Sequence, residues 1–209
     1  MTRLDINLTP TAYAILGLLR ERPMHGYEIA QHFKPEEDLG QVMPADISTI
    51  YTFLKDLQER GLIYGEQVIV GARPPRKVFS LADDAEAFFL EWLRRPVARM
   101  REVRLDFLLK LYFAQQLGAA EAKALVKAQL SACRDYLERQ RIHSQHIAST
   151  SFESLVLESK LTAAESIVEW LNRIAAQVAS HRRKALTSSR RKAEQLQART
   201  KSIPEGGGQ

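Results

Sequence analysis

Between residues 46 and 81 the apolar residues change period, and that change rules out most architectures. "DISTIYTFLKDLQERGLI", residues 46–63, spaces Ile47, Ile50, Leu54 and Leu57 three or four apart, which is one apolar side of a helix. Asp46 is a suitable N-cap and Gly61 a suitable C-terminal stop. After Gly61, Leu62 to Val70 is rich in Ile, Val and Tyr and predicts a strand. "GARPP", residues 71–75, predicts a turn, and Arg76 to Leu81 a second strand with Phe79 and Leu81 on one face. Helical spacing returns at about Asp83, where Ala85, Phe88, Phe89, Trp92 and Leu93 make a wide apolar stripe that Pro96 ends.

Two further helices precede this unit. Thr9-Pro10 reads as N-cap and first helical residue, with Ala12, Ile15, Leu16 and Leu19 following at helical spacing until Pro23. "HGYEIAQHF" predicts a shorter helix with Ile29, Ala30 and Phe33 inward, and Lys34 to Pro44 predicts an acidic loop. Beyond Pro96 the pattern is helical to about residue 188. Arg101 to Gln116 carries Leu105, Leu108, Leu109 and Tyr112; Ala119 to about Ala148 carries Val126, Leu130, Cys133 and Leu137. Thr150-x-x-Glu153 has the form of a capping box, and the helix after it carries Ile167, Leu171, Ile174 and Val178. Both seams run in 4-3-4 spacing, which predicts paired helices or a short coiled coil. The final residues, from 189, are polar, basic and then Gly-rich, and are predicted to be a disordered tail.

The outward side of the 46–59 helix is unusual. Ser48, Thr49 and Thr52 occupy it, with Tyr51 at the edge and Lys55 a turn later, although short hydroxyl residues are mediocre helix formers. Three helices followed by a hairpin is the order of a winged helix-turn-helix, in which the last helix enters the DNA major groove by its N-terminal end. Short hydroxyls allow close approach and can exchange hydrogen bonds with base edges, and a Thr methyl can meet a thymine methyl. The plainer alternative is that these hydroxyls satisfy backbone groups at the helix start. Arg73, Arg76 and Lys77 around Pro74-Pro75 place cations at the hairpin tip, suited to phosphates or the minor groove. The net charge of +5 favours an acidic partner.

At this point the chain resembles the PadR family of bacterial transcriptional regulators. The resemblance rests on "LTPTAYAILGLL", "HGYEIA", "STIYTFLKDLQERGLI" and "RPPRKVFSL" leading into an aromatic-rich helix, across roughly the first ninety residues. The helical second half looks like the family's longer subgroup. Many members carry Pro in place of Thr52 and Arg in place of Asp56, and Leu-Thr-x-x-Gly in place of Leu81-Ala82-Asp83-Asp84-Ala85. An acid at Asp56 beside a groove-facing surface calls for a positive neighbour or a cytosine amino group. The resemblance implies a homodimer that binds an inverted-repeat operator on double-stranded DNA, usually as a repressor. It also implies release by a small aromatic ligand in some members, and gene activation or other effectors in others.

The expected architecture is therefore mainly α: a winged helix-turn-helix with a two-stranded wing over residues 1–95, a helical dimerisation and effector domain over 96–188, and the tail over 189–209. Ser48, Thr49, Tyr51, Thr52 and Lys55 are expected to read or flank the major groove. Arg73, Arg76 and Lys77 are expected to hold phosphates or the minor groove, and Thr11, Tyr13, His25 and Tyr27 to position the backbone. An effector between the domains would use Trp92 and Tyr112, with Arg20 or Arg104 for an acidic group. Val126, Leu130, Leu137, Ile167, Leu171, Ile174 and Val178 are the expected pairing surface.

Other constellations predict less. His143 and His146 share a helix face, but Cys133 is about 15 Å from them along it, so solvated histidines are the preferred reading and no metal is expected. Cys133 lies on a seam and reads as a core thiol; as the single cysteine it suits a reducing cytosol. Arg182, Arg183, Lys184, Arg190, Arg191 and Lys192 would add nonspecific DNA affinity or simply be solvated. No Gly-rich phosphate loop or nucleophile elbow occurs, so neither catalysis nor a cofactor is expected. No apolar run would span a bilayer and no secretory core opens the chain, which predicts a cytoplasmic, nucleoid-associated protein. The rival readings are a winged-helix adaptor for protein partners, an activator without an effector, and a small-molecule sensor or enzyme with vestigial DNA binding.

Overall fold

The structure, a computed structural model, describes residues 8–68, 76–145, 147 and 151–201, with side chains through residue 178. It is mainly helical, with one small antiparallel sheet. Helix α1 spans Pro10–Glu21, and Thr9 caps it by accepting the amide of Ala12 at 3.3 Å. Every residue from Ala12 to Leu19 is buried. A helix apolar all round belongs inside, and α1 packs against the helices and strand described next on all sides.

Strand β1 (Met24–His25) leads into α2 (Gly26–Gln31) and α3 (Asp38–Val42). Then comes α4, Ile47–Glu59, capped by Asp46 and closed at Gly61, whose φ of +70° is the left-handed turn a glycine makes freely. Strands β2 (Ile63–Val68) and β3 (Arg76–Leu81) form the wing, in register from Ile63↔Leu81 to Val68↔Arg76. Helix α5 follows over Asp83–Arg94.

Two features differ from the sequence reading here. The sheet has three strands in the order β1-β3-β2, because Met24 and His25 pair with Phe79 and Val78. Two residues are too few to show alternation. The stretch read as a loop, Lys34 to Pro44, holds the five-residue α3, too short for a helical period to emerge. Within α4, Ile50, Leu54 and Leu57 are buried as expected, but Ile47 in the first turn is 48% exposed.

After Pro96 a short 3-10 turn (Met100–Glu102) passes into a π-helical turn (Val103–Phe107) and then α6 (Leu108–Leu117). The wider π turn re-phases the helix. Val103, Phe107, Leu109 and Phe113 therefore face inward, while Leu105, expected inside, is 38% exposed.

Helix α7 (Ala119–Ser144) turns back through α8 (Phe152–Lys201), and their long antiparallel contact is the main packing of this region. The cap of α8 is Ser151, whose hydroxyl accepts the amide of Ser154 at 3.2 Å. Thr150, the expected cap, lies outside the described residues. The buried residues of α8, among those described, are Leu157, Ala164 and Leu171. Of the seam expected to join two copies, Val126, Leu137 and Leu171 are buried within the single chain, while Leu130, Ile167, Ile174 and Val178 are half-buried. A 4-3-4 row marks a pairing face, but it does not say whether the mate is on the same chain. The helical trace continues past residue 188, where the expected disordered tail begins, to Lys201. Among the described residues no helix is long and apolar enough to cross a membrane.

Candidate nucleic-acid interface

The exposed N-terminal half of α4 is organised by its cap. Asp46 Oδ1 accepts the Thr49 amide at 2.7 Å and the Ser48 hydroxyl at 2.9 Å, and these bonds, the amide first, hold its carboxyl below the usual range. Thr52 Oγ1 donates to the Ser48 carbonyl at 3.0 Å. Ser48, Thr49, Thr52 and Lys55 are exposed, and the opposite face of the helix is sealed by Ile50, Leu54 and Leu57. The capping alternative thus holds for Ser48 and Thr49, and exposure holds for the whole set. With their protons engaged locally, the exposed Ser48 and Thr52 hydroxyls have acceptor lone pairs to offer, as an adenine or cytosine amino group requires.

Neighbouring elements extend this surface. Tyr51 is 45% exposed, and its ring lies against Gly26 at the start of α2, where a Cβ would come within 2.9 Å of it. Tyr27 beside it is 60% exposed. His25, half-buried, places Nδ1 at 3.4 Å from the Lys77 carbonyl, which joins α2 to the wing. Arg76 is exposed at the start of β3. The Lys77 ammonium passes over the Phe79 ring, 5.2 Å from its centroid, and reaches Gln58 on α4. The acid in this surface has the positive neighbour it called for: Asp56 Oδ2 accepts Arg60 Nε at 2.8 Å. Lys55 makes a loose pair with Glu59 at 3.8 Å.

One expected contact moves into the core. Tyr13 is buried, stacked on Trp92 at 4.3 Å and 7°, and burial raises its hydroxyl pKa. It is a core residue joining α1 to α5, since an N-terminal tyrosine on a helix buried all round has no outward direction to take. Thr11 is half-buried. Arg73 lies outside the described residues. Gln58 and Arg60 were missed: polar residues late in a helix carry no sequence signal that distinguishes a tie from a solvated chain.

The residues expected around an effector are dispersed. Arg20 is paired with Glu86 at 2.8 Å. Trp92 and Tyr112 sit at opposite ends of a ring chain that runs Trp92–Phe89–Phe113–Tyr112, with centroid steps of 5.7, 5.4 and 5.0 Å. Burial raises the Tyr112 hydroxyl pKa, and Arg104 is exposed on the π turn. A cavity of about 260 Å³ between α5, α6 and α7 is lined by Leu93, Ala114 and Leu125, and one of about 380 Å³ between α7 and α8 by Ser144, Leu157 and Glu165. None of the four expected residues lines either. The sequence reading also passed over Lys110, which is buried with its ammonium 4.8 Å above the Trp92 ring. A lone cation inside "DFLLKLYF" is the signal that could have found it.

Elsewhere, His143 lies 3.7 Å from Glu153, and His146 is outside the described residues. Cys133 is buried, accepts Gln129 Nε2 at 3.4 Å, and has its thiol pKa raised by burial.

Comparison with known proteins places the chain in a family. Residues 15–89 match the model of the transcriptional regulator PadR-like family, and residues 103–179 that of the virulence activator alpha C-terminal region. The negative transcriptional regulator PadR of Bacillus subtilis is 36% identical over 176 residues, spanning 79% of this chain and 96% of that protein. A probable transcriptional regulator of Mycobacterium tuberculosis is 26% identical over 184 residues, 78% of this chain and 94% of the relative. Among solved structures, Bacillus subtilis PadR in complex with operator DNA is 32% identical, with 80% of this chain and 98% of that one covered and a TM-score of 0.40. The same protein in complex with p-coumaric acid is 31% identical, covering 82% and 99%, with a TM-score of 0.38.

Proposed function

The chain belongs to the PadR-like family of transcriptional regulators, and from that premise we propose that it is a homodimeric repressor that reads an inverted-repeat operator through α4 and is released by a small aromatic acid. The observation that carries the reading is the division of α4. One face is sealed in the core, and the other presents Ser48, Thr49, Thr52 and Lys55 beside Tyr27, Tyr51 and the Arg76 end of the wing. A single winged helix makes few contacts, and two copies about 34 Å apart reach successive major-groove faces. Supporting a dimer, α8 opens with large apolar residues exposed in the single chain: Phe152 at 80% and Leu155 at 61%. Exposed apolar clusters of this kind mark interaction surfaces.

In this reading Ser48, Thr49, Tyr51 and Thr52 face bases, while Arg76, Lys55, Tyr27 and His25 face phosphates. An aromatic acid that binds only one arrangement of the two halves would shift DNA affinity; Arg20, Trp92, Arg104 and Tyr112, dispersed over the single chain, do not form one site for it. Residues 1–95, 96–188 and 189–209 remain the proposed division into DNA-binding domain, dimerisation domain and tail. The test is binding to duplexes selected from random sequence with the purified protein. Arg76→Ala should weaken all sequences alike and lower the salt slope by about one unit, while Thr49→Val should alter preference among sites. An unchanged salt slope would remove the wing from the interface. Failure to retain any duplex at low salt would favour the adaptor.

A further inference from the structure

The segment joining α5 to the helical region is held by two buried polar side chains from the far side. Lys110 of α6 donates Nζ to the Arg95 carbonyl at 2.6 Å. Gln129 of α7 engages the next peptides in both directions: its Oε1 accepts the Val97 amide at 2.7 Å, and its Nε2 donates to the Val97 carbonyl at 3.0 Å. Lys110 is 4% exposed and Gln129 fully buried, and they are the buried polar side chains of the described core. Between the two anchored residues stands Pro96, which fixes φ and has no amide hydrogen to offer. The Arg95 amide is already used to close α5, through Glu91 and Trp92. Three of the five backbone hydrogen-bonding groups of residues 95–97 are thus directed at α6 and α7. Buried groups of this kind are costly to leave unpaired, so the segment has one low-energy seat.

We propose that Lys110 and Gln129 form a latch on residues 95–97 that fixes the direction in which the winged helix-turn-helix projects from the helical region, and thereby sets the spacing of half-sites the protein accepts. The inference rests on the dimeric, inverted-repeat reading above. Adding a base pair between half-sites shifts one of them by about 3.4 Å and turns it by about 34°. A rigidly seated pair of winged helices cannot follow that movement, and an unlatched pair can.

The experiment uses the full chain with Gln129→Met and Lys110→Met, which put an unbranched apolar side chain in place of each polar one and remove the hydrogen bonds to the backbone. Amide hydrogen exchange without DNA reads the latch itself: Gln129→Met should raise exchange at Val97 by about tenfold or more, while amides of α1 and α4 keep wild-type protection, which also verifies folding. DNA binding then uses the inverted repeat selected by the wild type, its one- and two-base-pair spacing variants, and a single half-site. The wild type should lose about tenfold or more in affinity when spacing changes; both variants should lose under about threefold, with half-site affinity unaltered. Unchanged Val97 exchange, or a wild-type spacing preference kept by both variants, overturns the latch. A wild type that binds half-site and repeat equally overturns the dimeric reading beneath it, and the spacing role with it.

Discussion

The Lys77 ammonium donates to Gln58 Oε1 at 2.7 Å, tying the returning strand of the wing to α4. The route it takes is open only because residue 65, opposite Phe79 in the sheet, is glycine. A Cβ there would stand 2.3 Å from Lys77 Cε and 3.2 Å from Phe79 Cε1. Wing and α4 therefore form one surface whose relative placement is fixed before any DNA arrives, and such preorganisation lowers the cost of binding.

Gly65→Ala is expected to push the Lys77 stem aside. The obstruction is the far end of a flexible chain, so the fold should lose less than about 1 kcal/mol. Affinity for the selected operator should fall by about threefold, as the wing loses its fixed seat. Gln58→Ala should reproduce the loss and add nothing to it in the double variant. Thermal denaturation and fluorescence anisotropy read the two effects; additive losses would mean that Lys77 and Gln58 act separately.

The π turn at Val103–Phe107 makes a second prediction, because it reverses which residues are structural. Phe107 is fully buried and meets Trp170 edge-on at 5.7 Å, holding α8 against the start of α6, whereas Leu105 is 38% exposed. Phe107→Ala should destabilise by about 3–5 kcal/mol, by lost burial and the cavity left behind. Leu105→Ala should stay within about 0.5–1 kcal/mol. Urea denaturation separates them; equal losses would place the helix in its unbroken α register.

These two cases show what the sequence made legible. Long periodic helices were readable from apolar spacing: the cap at Asp46, the stop at Gly61 and the buried row Ile50, Leu54, Leu57 all stand as read. The strand Arg76–Leu81 stands to the residue. What failed was short or register-dependent. Strand β1 and helix α3 contain too few residues for a period. The π turn inserts a phase shift that no local composition announces. The seams of α7 and α8 were visible, but their mate was not, since apolar spacing is the same whether a helix pairs within its chain or across a dimer. Among the candidate interface residues, exposure was legible from chemistry at Ser48 and Thr49, whereas Tyr13 depended on how deeply α1 sits. Lys110 and Gln129 were missed because a buried polar residue is specified by a distant partner, here the backbone at residues 95 and 97.

The exposed start of α8 gives a third prediction. Phe152 and Leu155 make little contact within the chain, so Phe152→Ser with Leu155→Ser should leave the single chain's stability within about 1 kcal/mol. If the pair is buried between two copies, the dimer should dissociate at least about tenfold more readily. Operator binding should then become steeper in protein concentration. Sedimentation of wild type and variant at matched concentrations decides it, and identical dissociation would place the dimer contact elsewhere.

The last prediction concerns Lys110, whose burial pushes its pKa from 10.5 to about 8. Asp106 opposes that shift and Arg95 reinforces it; Asp106 in turn has its carboxyl pKa raised by burial and then by Glu102. Below about pH 8 the lysine is protonated in both folded and unfolded chains, and the penalty for burying the charge is constant. Between about 8 and 10.5 the folded chain has released the proton and the unfolded chain still holds it. The unfolded state then binds more protons, so stability rises with pH through that window and levels off above it. Lys110→Met lacks the titration but keeps much of the packing around Trp92. Other lysines and tyrosines titrate in both proteins and cancel in the comparison. The difference in unfolding free energy, wild type minus variant, should therefore climb from about pH 8 to about pH 10.5 in denaturant titrations. Parallel pH profiles would show that the Lys110 ammonium carries no burial penalty, and that water reaches it where it meets the Arg95 carbonyl.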